Sequence, residues 1–114
     1  YYAFYGLYQL SSLFLSRNLI DSISFEMLSL KNLLELDLSH NSLVELKKQS
    51  SFQSLSKLEI LDLSANKIRM IEKNFFSDKL KNLKILRLNN NLINECRKDW
   101  LLPNLQRLII GVNF

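Results

Sequence analysis

The sequence predicts a solenoid of the α/β type, a right-handed coil whose repeats each add one short strand to a curved parallel sheet. The first observation is the frame L-x-x-L-x-L-x-x-N-x-L, which is complete in residues 33–43. The second is its recurrence, with frames that begin at residues 10, 33, 58, 83 and 105. The third is the resulting period of 22 to 25 residues, which is typical of solenoids.

This spacing predicts a single array over residues 1–114. It consists of the tail of one repeat, four full repeats that start at 10, 33, 58 and 83, and the start of a further repeat at 105. Repeats in a solenoid are stabilised by stacking on their neighbours, and end repeats normally carry a polar cap. We therefore expect the chain to be a window on a longer horseshoe, or its two ends to be covered by a partner.

Each frame predicts a strand. Two inward leucines separated by one outward residue show the two-residue alternation of a strand that is buried on one face. We expect strands near residues 12–15, 35–38, 60–63, 85–88 and 107–110. The crossovers have similar lengths, so the strands should be parallel, on the concave side of the coil. The inward leucines predicted to be buried, with Leu108 partly open if no return segment covers it, are Leu13, Leu36, Leu61, Leu86 and Leu108.

The asparagine at frame position nine should satisfy backbone groups where the chain leaves the strand, because a carboxamide both donates and accepts hydrogen bonds. Stacked coils then predict a ladder of Asn18, Asn41, Asn66, Asn91 and Asn113. Asn74 lies outside the frame, so we expect it to contribute little.

The returns are predicted to hold short turns or irregular segments, with few helical residues. Asn32, Asn82 and Asn104 each precede a frame leucine and suit a turn into the strand. Cys96 lies three residues after Ile93, where other repeats have an apolar side chain, so we expect it to be a small buried residue. One large side chain per return should fill the far side of the core: Phe4, Met27, Phe52, Phe76 and Trp100.

Three segments carry a family resemblance. Residues 3–10 resemble the aFxgLxxL lead-in of the extracellular class of leucine-rich repeat, and residues 36–41 and 61–66 resemble its LDLSxN core. Toll-like receptor ectodomains are built from this unit. The resemblance implies a non-catalytic ectodomain at the cell surface that recognises a protein or microbial ligand, as a receptor dimer or larger assembly. The alternative is an intracellular protein built from the same repeat, either a cytoplasmic or ciliary scaffold or an adaptor subunit of a larger complex.

Composition and motifs argue against several other functions. The net charge is +4, and the fifteen Lys and Arg residues are scattered rather than concentrated in a stripe with aromatic platforms, which argues against nucleic acid. A nucleic-acid-sensing ectodomain is retained as the third interpretation. No apolar run is long enough to cross a membrane, and no metal, cofactor or enzyme motif occurs. His40 lies beside Asp37 and Ser39, but both neighbours recur at Asp62 and Ser64 without a histidine.

The candidate binding residues face outward on the predicted concave sheet, where acidic residues in the middle strands give way to basic residues in the next ones. Two apolar positions, Ile60 and Ile85, should be neighbours on this open surface, which suggests contact with a partner. The charges could instead simply pair across strands, as Glu59 with Lys84 and Asp62 with Arg87. The full candidate set is Phe14, Leu34, Glu35, Asp37, Glu59, Ile60, Asp62, Lys84, Ile85, Arg87, Arg107 and Ile109.

Overall fold

Five short parallel strands form the main sheet of the computed structural model, which describes residues 4, 6–23, 30–47, 54–77, 79–111 and 113. In spatial order they are β1 (Ser12–Phe14), β2 (Glu35–Asp37), β4 (Ile60–Asp62), β6 (Ile85–Arg87) and β7 (Arg107–Ile109). Two further strands, β3 (Glu45–Leu46) and β5 (Met70–Ile71), pair in parallel in the returns. A short 3-10 helix covers Lys98–Trp100. The predicted parallel-strand solenoid with few helices is confirmed.

The register of the main sheet follows the repeat frame residue by residue. Leu13 pairs with Leu36, Leu36 with Leu61, Leu61 with Leu86, and Leu86 with Leu108. The three central leucines are completely buried. The prediction of burial is wrong for Leu13, which is half-buried, as is Leu108. Both lie on edge strands, where a neighbouring strand covers one side only.

The core is a stack of frame leucines closed on the far side by aromatic residues. Trp100 is 1% exposed and Phe76 is fully buried, as predicted, whereas Phe4 is half-buried. Met27 and Phe52, which belong to the same predicted column, lie outside the described residues. Phe75 is an additional core residue, whose ring packs edge-on against Phe76 with centroids 5.0 Å apart. The repeat frame did not predict it, because this return carries an extra residue.

The predicted asparagine ladder is present, and each central asparagine connects two coils. The Asn66 Oδ1 accepts the backbone N–H of Leu43 at 3.0 Å, and its Nδ2 donates to the Leu38 carbonyl of the preceding coil at 2.9 Å. The same Nδ2 also donates to the carbonyl of Leu63 in its own coil. Asn91 repeats this pattern one coil further on. Asn18, in the first coil, is exposed, and among the described residues its side chain donates to the carbonyls of Leu15 and Ser16 in its own turn.

The turn that follows each strand uses a left-handed residue at frame position eight. Positive φ angles of 53° to 60° occur in four successive coils, at Arg17, His40, Ala65 and Asn90. Left-handed backbone costs roughly 1–2 kcal/mol in most residues, so the surrounding bonds must hold the turn in place. His40 therefore lies at a repeated turn position, which accounts for its place beside Asp37 and Ser39.

The fourth return departs from the others, and the prediction for Cys96 is wrong because of it. Cys96 is exposed. The chain does not add a third strand beside β5 here. Instead, Arg97 donates from Nη1 to the Ile71 carbonyl at 2.9 Å, which satisfies the edge of the small sheet with a side chain. Cys96, three residues after Ile93, therefore lies outside the core.

Asp99 holds the fourth return in place and makes the stability of that return dependent on pH. Its carboxylate accepts the Asn74 backbone N–H at 2.9 Å and the Arg97 Nε–H at 3.0 Å. Burial raises the pKa of Asp99, but the Asn74 N–H and the Arg97 guanidinium outweigh burial and hold that pKa below its ordinary value. The ionised form is thus the one that the fold stabilises.

Replacing Asp99 with asparagine should lower the free energy of unfolding by about 1–2 kcal/mol near pH 7, because two charge-assisted bonds weaken. Since the folded-state pKa is depressed, this stabilisation is present above the unfolded carboxyl pKa of about 3.9 and is lost as pH falls through the folded pKa. Urea titrations at pH 7 and at successively lower pH measure the difference. A difference that stays constant down to the lowest pH would contradict the assignment.

Candidate ligand-binding surface

The candidate surface is the open face of the main sheet, meaning the strand side chains that point away from the buried leucines. Two rows of in-register residues cross it. The first row contains Ser12, Glu35, Ile60, Ile85 and Arg107. The second row contains Phe14, Asp37, Asp62, Arg87 and Ile109. The other three predicted residues, Leu34, Glu59 and Lys84, adjoin the open face just before β2, β4 and β6.

Four of the charged candidates neutralise one another across adjacent strands. The Lys84 Nζ lies 3.1 Å from the Glu59 Oε1, and the Arg87 Nη1 lies 3.8 Å from the Asp62 Oδ2. Exposed pairs of this kind contribute only about 0.2–1 kcal/mol to stability. These four residues therefore leave the middle of the open face nearly neutral.

The two aspartates of the second row, Asp37 and Asp62, also stabilise the turns that follow their strands. Asp37 accepts the backbone N–H of Ser39 at 2.9 Å, and Asp62 accepts that of Ser64 at 3.0 Å. The Ser64 hydroxyl adds a second bond to Asp62. The sequence predicted that both aspartates face outward on the sheet, and they do lie side by side in the second row. Their hydrogen bonds, however, give them a structural role as well, which makes them poor probes of binding alone.

Two charges and several apolar side chains on the open face have no such role. Within the described part of the chain, Glu35 and Arg107 form no ion pair, and they lie in the first row on β2 and β7, three strands apart. Ile60 and Ile85 are half-buried neighbours between them. Phe14 is 61% exposed and Leu34 is 41% exposed. Ile109 is half-buried on the edge strand.

Other exposed apolar residues lie away from the open face and were not predicted. Leu19 is 90% exposed and Leu101 is 68% exposed. Leu19 directly follows the ladder asparagine Asn18. At the same position, two later coils carry the polar residues Ser42 and Lys67, so the sequence already showed an apolar residue in place of a polar one. Leu19 also lines a hollow with Phe4, Leu15 and Asp21 at the first coil.

The described residues show no arrangement for metal binding or for a membrane span. No cluster of three or more His, Cys, Asp or Glu side chains with suitable geometry occurs among them. Within the same ranges, no helix has both the length and the apolar character needed to cross a bilayer.

The chain is similar to known proteins in sequence and in fold. The family model described as "Leucine rich repeat" matches residues 32–78 and 56–113. A leucine-rich repeat protein of Leptospira interrogans has a similar structure, with 32% identity, 94% of this chain covered and a TM-score of 0.83. An internalin of Listeria monocytogenes has 26% identity, 95% coverage and a TM-score of 0.77. The match spans only 26% and 30% of those two chains. No curated protein matches significantly.

Proposed function

This chain belongs to the leucine-rich repeat family, and we propose from that premise that its open face recognises another protein without catalysing a reaction. The leucine-rich repeat fold is typically a scaffold for interaction. One observation carries the proposal: Ile60 and Ile85 lie side by side on an outward sheet surface, framed by charged residues. Apolar pairs surrounded by polar groups are characteristic of binding surfaces, because partner contact removes them from water.

The receptor type and the location belong to the same proposal. An extracellular ectodomain similar to those of Toll-like receptors is supported by the LDLSxN cores at residues 36–41 and 61–66. The two solved structures described above are bacterial proteins, so this part depends on sequence motifs alone. Its ligand would be a protein or a microbial ligand, bound by a receptor dimer or larger assembly.

An intracellular scaffold is the second candidate, and two observations favour it. Cys96 is a free, exposed thiol, which is more common where disulfides do not form. None of the twelve asparagines lies in an Asn-x-Ser/Thr sequence for glycosylation. Antibody labelling of a tagged protein on intact, unpermeabilised cells separates the two candidates. Labelling supports the ectodomain, and labelling that requires permeabilisation supports the scaffold.

Replacing Ile85 with lysine should weaken partner binding by about tenfold or more, because a charge would enter the centre of the contact surface. Met70→Lys is the matched control, since Met70 is an exposed strand residue of the small sheet. A partner is selected from a displayed library of protein fragments, and its dissociation constant is then measured for each variant. Equal weakening by both substitutions, or none by Ile85→Lys, would place the binding site elsewhere.

Charge reversal offers an independent test, but the structure changes the residues that suit it. The sequence suggests reversing Asp37, Asp62 or Arg87, yet both aspartates accept turn hydrogen bonds and Arg87 pairs with Asp62. Arg107→Glu avoids these contacts. It should act mainly on the association rate, and its effect should shrink as salt increases. Lys73→Glu, on an exposed return residue, should leave the rate unchanged.

A further inference from the structure

The part of the first row that runs from β2 to β7 begins and ends with opposite charges. Reading across the sheet, the in-register order is Glu35, Ile60, Ile85 and Arg107. Asp37 lies two residues from Glu35 in the same strand and adds to the acidic end. The basic end holds Arg107, which is exposed. From β2 to β7 the row is therefore acidic, then apolar, then basic, and the uncharged Ser12 lies beyond Glu35 on β1.

The neighbouring charges do not cancel this polarity. Lys84 is paired with Glu59 and Arg87 with Asp62, so the two basic candidates other than Arg107 are already engaged. Asp37 accepts a backbone N–H but has no cation beside it in the described structure. Glu35 and Arg107 are therefore the charges that an incoming partner can pair with most directly.

The dimensions of the row match a short extended peptide. Glu35 and Arg107 are separated by three strand spacings, or roughly 14 Å between Cα atoms. An extended peptide advances about 3.4 Å per residue, so side chains at i and i+4 are also separated by roughly 14 Å. Side chains at i, i+2 and i+4 point to one side of such a peptide. The i+2 side chain then lies over the contact between Ile60 and Ile85.

We infer that the open face selects an extended protein segment with opposite charges at positions i and i+4 and an apolar residue at i+2. This inference depends on the proposed function of the open face and specifies the chemistry of its partner. The basic side chain would pair with Glu35, the acidic one with Arg107, and the apolar one would cover the two isoleucines. The acidic end of the row would repel a phosphate backbone, which favours a peptide over a nucleic acid.

The test uses a phage library of random nine-residue peptides, selected on the chain fused to a carrier protein. The native chain should enrich the opposite-charge pattern at least tenfold over the input library. Both charge orders are expected, since the side chains alone do not set the direction of the peptide. Glu35→Arg makes both ends basic and should enrich peptides that are acidic at i and i+4. Arg107→Glu should enrich peptides that are basic at both positions.

The double variant Glu35→Arg with Arg107→Glu should restore selection for opposite charges, which a general loss of structure could not do. Lys73→Glu, away from the open face, should leave the selected pattern unchanged. Should a reversal disturb the sheet in circular dichroism, Glu35→Gln and Arg107→Gln each remove one charge and should relax selection at one position only.

Four results would overturn the inference. The first is that the native chain enriches no pattern. The second is a pattern that survives both reversals but disappears in the variant Ile60→Ser with Ile85→Ser; the open face would then still bind protein, and the proposed function would stand. The third is selection unaffected by the isoleucine variant, which would refute both proposals. The fourth is that a fluorescent polyuridine oligomer binds more tightly than the selected peptides, with an affinity that falls as salt increases. Nucleic acid would then be the ligand.

Discussion

Replacing Asn66 with alanine is expected to lower the free energy of unfolding by about 3 kcal/mol, because a buried backbone group loses its partner. The backbone N–H of Leu43 bonds to Asn66 Oδ1 within the core, and alanine offers no acceptor in its place. The carbonyls of Leu38 and Leu63 are affected less, since Asn41 and Asn91 also donate to them. Urea denaturation with a two-state fit measures the change.

Asn66→Asp should be at least as harmful as alanine near neutral pH. Its carboxylate retains an acceptor for Leu43 but turns an oxygen toward the carbonyls of Leu38 and Leu63, where Asn66 has a donor. Protonation at low pH would supply a donor again, so the gap to the native chain should narrow as pH falls.

The control for the ladder is Asn94→Ala. Asn94 is exposed and outside the frame, and a surface change of this kind should stay within about 0.5 kcal/mol. Asn74, the control that the sequence suggests, is unsuitable. Its φ is 61°, which alanine tolerates poorly, and its N–H bonds to Asp99. Equal losses for Asn66→Ala and Asn94→Ala would show that the ladder does not hold the coils together.

Truncating Leu61 to alanine should cost about 2–5 kcal/mol, the usual range for a buried leucine. Leu61 is fully buried on the central strand, with Leu36 and Leu86 in register on its two sides. We expect a cost near the upper end, because hydrogen-bonded strands on both sides limit how far the core can collapse into the cavity. Urea denaturation should show a lower midpoint with an unchanged slope.

Leu19→Ala is the matched control for Leu61→Ala, because it is the same substitution at a surface position. Leu19 is 90% exposed, so removal of the same atoms should change stability by no more than about 0.5 kcal/mol. Leu13→Ala should fall between the two, since Leu13 is half-buried at the edge of the sheet. A loss below 1 kcal/mol for Leu61→Ala would mean that the leucine stack is not the main source of stability.

Much of the fold could be read from the repeat itself, because the signals are local and occur five times. The alternation of Leu36, Asp37 and Leu38 indicates a strand by its period, and the same period sets which side chains face the core. Equal spacing then aligns Leu36 with Leu61 and Leu86. Asn41, Asn66 and Asn91 could be assigned to a ladder, since one residue type recurs where backbone groups need partners.

The sequence predicted which residues lie on the candidate surface, but it did not predict the hydrogen bonds and ion pairs that those residues form. Alternation placed Asp62 and Arg87 on the open face, and the sheet confirms that position. Whether Asp62 is available to a partner depends on Ser64 and Arg87, whose approach is a matter of side-chain geometry. Residues outside the repeat pattern, such as the exposed Leu101, gave no signal that the frame could detect.

The sequence by itself determined the solenoid, its strands, their parallel register and the asparagine ladder, since each follows from a residue pattern that repeats at nearly constant spacing. The tertiary structure alone decided that Cys96 is exposed, that Arg97 bonds to the edge of the small sheet, and that Glu35 and Arg107 form no ion pair with any other described residue. These outcomes depend on the non-repeating returns and on which side chains meet across strands. Such contacts are set by three-dimensional packing, which no single repeat encodes.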